Sequence, residues 1–298
     1  VTTARIAIPY VRELEVVYGR ADAVSPLIRR VIADNPGPFT FKGTGTYIVG
    51  HGEVAVIDPG PRDRNHLDAL LAATQGERIA AILVTHDHAD HAPLAAPLAE
   101  ATGAPIMGCA PHPGRGAPPP DLEEGLDRHY RPDRTPAEGE AIAGSGWTLR
   151  ALATPGHTSN HLCFALEEEQ ALFTGDHVMG WSTTVVIPPD GNMTDYYASL
   201  RKVMAGGYAT LWPTHGPPVT DPEPFLKAYL AHRLRREAQI LEALARAPAS
   251  VEALVGELYV GLDPRLRRAA AASVLAHLLH LVREGRVVGE DGMTFSLT

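Results

Sequence analysis

The sequence is poor in cysteine: Cys109 and Cys163 are the only two among 298 residues. They are far apart, form no C-x-x-C pair and sit in apolar surroundings (PIMGCA and HLCFAL). That excludes a disulfide framework and leaves two buried thiols as the expectation. No apolar run approaches the roughly 18 residues that mark a membrane-spanning helix, so none is expected. The opening residues, VTTARIAIPYVRELE, lack a basic stretch followed by a long apolar one, which argues against a secretory signal. Together with the scarce cysteine this fits a reducing, cytoplasmic compartment. Lysine is also rare, limited to Lys42, Lys202 and Lys227. The net charge of −9 disfavours a broad nucleic-acid surface, because phosphate binding needs basic groups, although a local basic groove is still allowed. What is present is ordinary for a globular protein: 45% apolar and 20% charged residues, enough for one large domain or a large plus a small one.

Strand patterns dominate the first two thirds. Residues 39–50 (FTFKGTGTYIVG) and 53–60 (EVAVIDPG) read as a hairpin, and 65–74 has helical spacing. Residues 79–86 (IAAILVTH) form a near-continuous apolar run, the signature of a strand buried on both faces. Further strands are expected at 147–154, 161–166, 170–175 and 209–213, with a helix at 195–204. Residues 109–121 (CAPHPGRGAPPPD) are proline- and glycine-rich. They read as an irregular loop, a candidate lid, with His112 solvated. The composition then shifts. A long helix rich in arginine and glutamate is expected over 222–245. It is followed by two helices and a hairpin turning at Asp291-Gly292, the outline of a winged-helix domain. The expected division is 1–221 as the catalytic domain, 222–249 as a connecting helix and 250–298 as the winged helix.

The densest chemistry lies in THDHADH, residues 85–91, at the end of a predicted buried strand. His86 and His88, two apart, can face one metal, while Asp90 and His91 lie beyond the turn and can face a second. Neutral imidazole and carboxylate suit zinc and tolerate iron or manganese. Such a cluster needs ligands from elsewhere. Three more strand ends offer His157 (TPGHTSNH), Asp176 (FTGDH) and His215 (PTHG), the address of a site built on rigid sheet edges.

HDHADH, TPGH, GD and THG in this order, with TYIVG and VAVIDPG before them, resemble the metallo-β-lactamase superfamily from about residue 39 to residue 218. The resemblance implies an α/β fold, a four-layer αβ/βα sandwich. It implies that His86, His88 and His157 bind one ion, that Asp90, His91 and His215 bind the other, and that Asp176 bridges. Asp58 would sit behind the ligands and fix an imidazole tautomer. The segment GDHVMGWSTTVVIPPDGNMTDYYASL, the long helix and the C-terminal winged helix resemble one branch of that superfamily, the β-lactamase-like protein 2 type. Animal members of that branch act as endoribonucleases.

The expected activity is hydrolysis assisted by two divalent ions, zinc foremost. Ions about 3.5–4 Å apart hold a bridging water whose pKa falls toward about 7. The resulting hydroxide attacks an ester-type or phosphodiester substrate, RNA included, with Asp90 and Asp176 at the centre. A thioester hydrolase similar to glyoxalase II, or a lactone hydrolase, is the alternative. That group, however, has a different helical C-terminal part with basic residues for glutathione. True β-lactam hydrolysis is disfavoured, because those enzymes usually replace some of these ligands and lack the wing. A thiolate leaves unaided, whereas an alkoxide benefits from a proton donor. The candidate donors are His161, His177, Tyr196 and Tyr197, with a packed, structural role as the default for each. A DNA-binding regulator is disfavoured too: residues 250–298 carry five arginines against six acidic residues, where a DNA-reading wing should be basic. The expected partners are therefore a small molecule or single-stranded RNA. The wing packs on the main domain, walls the cleft or mediates self-association as a homo-oligomer. The run Arg233, Arg235, Arg236 reads as a solvated helix face.

Overall fold

The computed structural model describes residues 7–112, 125–290 and 294–298. The lid expected within 109–121 and the Asp291-Gly292 turn therefore lie largely outside the described residues. Six strands form the first sheet in sequential order: β1 (Ala21–Ala23), β2 (Ile28–Ile32), β3 (Gly45–His51), β4 (Glu53–Ile57), β5 (Arg78–Val84) and β6 (Ile106–Gly108). β1 to β4 run antiparallel, and β4, β5 and β6 run parallel. The parallel strands need crossovers, supplied by α1 (Arg64–Ala73) between β4 and β5 and α2 (Ala95–Thr102) between β5 and β6. Asp63 caps α1 by accepting from the Asn65 N–H, and Gly103 ends α2 in the left-handed conformation, as cap chemistry favours.

The second sheet has the order β11-β10-β9-β8-β7, built from β7 (Ala141–Gly144), β8 (Trp147–Ala153), β9 (Leu162–Leu166), β10 (Ala171–Gly175) and β11 (Thr210–Pro213). Only β10 and β11 are parallel, and α3 (Met193–Ala205) crosses between them. β9 is buried throughout because its two faces serve two cores. Leu162, Phe164 and Leu166 point between the sheets, while Cys163 and Ala165 pack on α3 and on α4 (Pro222–Leu244). This period of two is ordinary strand geometry. Tyr47 ties the sheets together: its ring lies 5.0 Å from that of Phe173 and 6.0 Å from that of Trp212, and its hydroxyl donates to the Pro213 carbonyl at 2.6 Å. Both cysteines are buried and free.

The C-terminal unit follows α4 without a break in packing. β12 (Ala249–Ser250), α5 (Val251–Leu258), a short 3-10 turn, α6 (Arg267–Arg283), β13 (Val287–Glu290) and β14 (Thr294–Leu297) give two helices and a three-stranded sheet. Ile240, Ala243 and Leu244 of α4 sit in its core, so one helix serves both halves. A polar cluster reinforces the junction. The buried Glu237 carboxylate accepts from Arg286 Nη1 at 2.9 Å and from the Tyr197 hydroxyl at 3.3 Å. His280 Nδ1 meets Thr194 Oγ1 at the start of α3. Arg233 departs from the expected solvated face: it is buried. Arg236 lies over the Tyr259 ring, 4.2 Å from its centroid.

Candidate metal centre

Five strands of the two sheets end at one point. Asp58 follows β4, residues 85–91 follow β5, His157 follows β8, Asp176 follows β10 and His215 follows β11. Rigid strands thus deliver side chains that the sequence scatters over about half its length. Two glycines let the turns close. Gly156, just before His157, has φ +144°, and a Cβ there would lie 2.4 Å from the backbone of Tyr196. Gly175, just before Asp176, has φ +50°, and its Cβ would lie 2.7 Å from His161 Nε2. These positions demand glycine both for backbone conformation and for space.

All seven candidate ligands are buried. They fall into two groups: His86, His88 and His157 converge in one, and Asp90, His91 and His215 in the other. His86 Nε2 lies 3.0 Å from His88 Nδ1. His215 Nε2 lies 3.0 Å from Asp90 Oδ2. Asp176 stands between the groups. Its Oδ1 is 3.6 Å from His91 Nε2 and 3.4 Å from His215 Nε2, while its Oδ2 is 3.9 Å from His157 Nε2. His91 Nε2, His215 Nε2 and Asp176 Oδ1 are buried and make no well-formed hydrogen bond. Buried polar atoms are almost always hydrogen-bonded, so convergent orphans of this kind fit cations placed among them. The donor set, imidazole nitrogen with carboxylate oxygen, suits zinc, iron or manganese.

The groups behind the ligands are fully engaged. Asp58 Oδ1 accepts from the Thr85 N–H at 2.8 Å. Asp58 Oδ2 accepts from Thr85 Oγ1 at 2.9 Å, from Thr214 Oγ1 at 2.8 Å and from His91 Nδ1 at 2.9 Å. His91 therefore keeps Nε2 for the site. His157 Nδ1 donates to the Val185 carbonyl at 2.7 Å, with the same consequence for its Nε2.

Electrostatics separates the two groups. Burial, reinforced by the neighbouring His91, His88 and His157, holds His86 far below the ordinary imidazole pKa, so it stays neutral with a free lone pair. Burial also opposes a charge on His91 and His215. There the carboxylates win: Asp90, Asp58 and Asp176 raise His91, and Asp176 and Asp90 raise His215. Asp90 and Asp176 are reciprocally depressed despite burial. Without metal, protons on His91 and His215 therefore balance these carboxylates. The raised imidazoles stabilise the metal-free fold below their unfolded pKa of about 6.5 and lose that contribution as pH rises through the folded value. The depressed carboxylates contribute above about 4 and lose the contribution on acidification. Metal must displace the imidazole protons. Metal content after dialysis is thus expected to be lower at pH 5 than at pH 8. Equal metal per chain at both, measured by elemental analysis, would contradict this charge arrangement.

A cleft of about 430 Å³ opens onto His88, Asp90, His157 and Asp176. Its walls are Pro38, Phe39, Met179, Trp181 and Val185, with Ser182 and Thr183, and no arginine or lysine lines it among the described residues. Trp181 is held by stacking on Phe41, with centroids 4.9 Å apart.

The four candidate proton donors are not in this cleft. His161 lies behind the site: its Nδ1 meets Thr154 Oγ1 at 2.8 Å and its Nε2 accepts from the Asp176 N–H at 3.2 Å. His177 is buried and pushed down to about 3, first by burial and then by His157. The Tyr196 hydroxyl donates to the His177 carbonyl at 2.9 Å, and Tyr197 is committed to Glu237. His112, expected to be solvated, instead has a covered side chain 3.0 Å from Asp190. Asp87 carries no expectation from the sequence, yet it is buried and accepts from the His112 N–H and from Asn160 Nδ2. It anchors the ligand loop to two neighbours. Its alternation with His86 and His88 was the available signal.

Residues 40–215 match the family described as the metallo-beta-lactamase superfamily. The chain belongs to that superfamily. Residues 250–294 match the beta-lactamase associated winged helix domain, so this member of the metallo-β-lactamase superfamily carries the C-terminal unit of the branch its sequence resembles. It is a metal-dependent hydrolase. It is 32% identical over 293 residues to an atrochrysone carboxyl ACP thioesterase from Aspergillus novofumigatus, covering 91% of this chain and 83% of the relative. It is 30% identical to a beta-lactamase-like protein 2 homolog from Caenorhabditis elegans, covering 92% and 90%. A metallo-beta-lactamase family protein from Thermus thermophilus superposes with a TM-score of 0.74 at 25% identity, over 93% of this chain and all of that one. Among the described residues no helix is long and apolar enough to cross a membrane.

Proposed function

We propose that this protein is a dinuclear metal-dependent thioester hydrolase. The observation that carries the reading is the cleft itself. It has apolar walls and, among the described residues, no lining arginine or lysine and none of the four candidate proton donors on its surface. A thiolate leaves without protonation, but a ribose or lactone alkoxide does not leave as readily. A phosphodiester backbone also calls for cationic contacts that these walls do not offer. The relatives named as thioesterases align over most of their length, which supports the same choice.

His86, His88 and His157 would hold one ion, Asp90, His91 and His215 the other, and Asp176 would serve both. When bound, the ions supply an activated water and a Lewis acid for the acyl carbonyl. The chain does the rest. Asp58 and the Val185 carbonyl orient two of the imidazoles. Phe39, Met179 and Trp181 offer apolar surface to an acyl chain. We take residues 1–221 as the catalytic part, 222–249 as the connecting helix and 250–298 as a packing element. α6 spends its buried face on α5, α3 and Ile187, which favours a structural role over DNA reading.

The test is a side-by-side assay of metal-loaded protein on an acyl-CoA, an acyl carrier-protein thioester, a lactone, single-stranded RNA and a chromogenic β-lactam, with metal per chain measured in parallel. Free thiol release at about two metal equivalents is expected. RNA cleavage without thiol release would overturn the thioester reading, and less than about half an equivalent after reconstitution would overturn the metal reading.

A further inference from the structure

Arg233 lies midway along α4 and is only 3% exposed. Burying a guanidinium is costly unless its donors and charge are answered. Part of the answer comes from the cleft wall, while Nε makes no hydrogen bond. Its Nη2 donates to the Thr184 carbonyl, and its charge sits over the Tyr196 ring, 5.1 Å from the centroid. One turn earlier on the same face, the Tyr229 hydroxyl accepts from the Thr184 N–H at 2.6 Å and donates to the Ser182 carbonyl at 3.2 Å. Both backbone polar groups of Thr184 are therefore claimed by α4. The Thr184 hydroxyl in turn donates to the carbonyls of Asp176 at 2.7 Å and His177 at 2.9 Å.

The next residue, Val185, does two things. Its side chain lines the cleft, and its carbonyl accepts from His157 Nδ1. Beyond it, Ile187 packs on Ala272 of α6. Residues 182–187 belong to no helix or strand, so nothing in their own backbone fixes their course. They are held between α4 on one side and α6 on the other. The peptide group that Arg233 grips is the one immediately before the Val185 carbonyl. A shift there changes the angle at which His157 is held.

We infer that Arg233, seconded by Tyr229, is a positioning residue for the hydrolytic site: through Thr184 and Val185 it orients His157 and sets the cleft wall. The inference rests on His157 being a metal ligand, as proposed above. It gives α4 a part in the chemistry, because the side chains that form this clamp stand on that helix. A group that orients a ligand typically contributes about 10–100-fold in metal affinity or activity.

The test compares Arg233→Met, Arg233→Lys, Tyr229→Phe and Ile240→Val as full-length, zinc-loaded proteins. Ile240 is a buried α4 residue in the winged-helix core, so Ile240→Val lowers stability without touching Thr184. Circular dichroism and thermal melting establish folding. Zinc retention against a graded chelator and the separate kcat and KM for thioester hydrolysis are the readouts. Arg233→Met is expected to lose zinc at about 10-fold lower chelator concentration and to lower kcat/KM by a similar factor. Arg233→Lys should recover part of both, since an ammonium can still donate to Thr184 but cannot cover Tyr196. Ile240→Val should change the melting temperature alone. If Arg233→Met does not fold, Tyr229→Phe, which removes a single hydroxyl, carries the same expectation. Folded Arg233→Met or Tyr229→Phe protein with wild-type zinc retention and wild-type kcat and KM overturns the inference while leaving the metal reading standing. A wild-type chain that retains no zinc refutes the ligand reading and the inference together.

Discussion

Asp176→Asn is expected to lower turnover on the order of 10³-fold, because the several kcal/mol of transition-state stabilisation that a metal pair supplies convert at about 1.36 kcal/mol per tenfold. The reason lies in how the carboxylate is shared. Oδ1 faces His91 and His215, and Oδ2 faces His157. An amide keeps the shape but turns one of those two faces into an NH2 group, which donates where a cation must be bound. It also removes one negative charge from a buried site that contains six other candidate ligands. The metal-free fold should suffer less, because the pairs of His215 and His91 with Asp90 survive. Turnover of the metal-loaded variant, metal per chain and circular dichroism check the three parts separately. A metal-loaded Asp176→Asn protein as active as the wild type would remove Asp176 from the mechanism.

Much of this site is legible in the amino-acid order. The seven candidate ligands stand in a succession that few folds share, and each follows an apolar run that reads as a strand. Both properties are local, so the sequence displays them. The strands read from the pattern match β3, β4, β5, β8, β9, β10 and β11 to within a few residues, except that β3 starts at Gly45 rather than at Phe39. The short pieces escape the pattern: β1, β2, β6, β7 and α2. β1, β6 and β7 have three or four residues each, too few for a period to show. α2 is alanine-rich and carries a weak pattern.

Other misses have a different physical origin. Arg233 reads as one of three arginines on a polar helix face, and it is buried because the Thr184 carbonyl and the Tyr196 ring close over it. His161, by contrast, takes the packed role expected by default, with its Nε2 accepting from the Asp176 N–H. Asp87 alternates with two ligand histidines and so points away from them. For Arg233 the side chain's direction is set by tertiary contacts, and spacing alone cannot supply that, whereas the alternation of Asp87 was legible. The choice between phosphodiester and thioester, proposed above, belongs to the same class, since it rests on which groups do not reach the cleft among the described residues.

Asp58→Ala should be the most damaging change outside the ligands, and Asp58→Asn shows why. Alanine leaves the Thr85 N–H without an acceptor and strips partners from Thr85 Oγ1, Thr214 Oγ1 and His91 Nδ1. It also places a residue with little tolerance for positive φ where φ is 49°. Breaking a buried charged network of this kind costs about 3–5 kcal/mol. In a chain of this size that lowers the melting temperature by about 10 °C. Asparagine tolerates the left-handed backbone and conserves volume, so its stability cost should be smaller. Its chemistry is not conserved. Oδ2 receives three donors and Oδ1 one, so an amide must turn its NH2 toward one set. Facing Thr85, it opposes a backbone N–H. Facing His91, it donates to Nδ1 and drives the imidazole proton to Nε2, the atom aimed at Asp176 and the second metal group. A backbone N–H cannot turn away whereas hydroxyls can, so the second orientation is favoured; there the ring's lone pair is no longer secured for a cation, and metal affinity should fall by about 10–100-fold. The two variants therefore separate fold from function: alanine loses both, and asparagine loses mainly metal. A chelator titration beside a thermal melt reads the difference. Asp58→Asn protein with wild-type metal affinity would show that the tautomer of His91 is set by something other than this carboxylate.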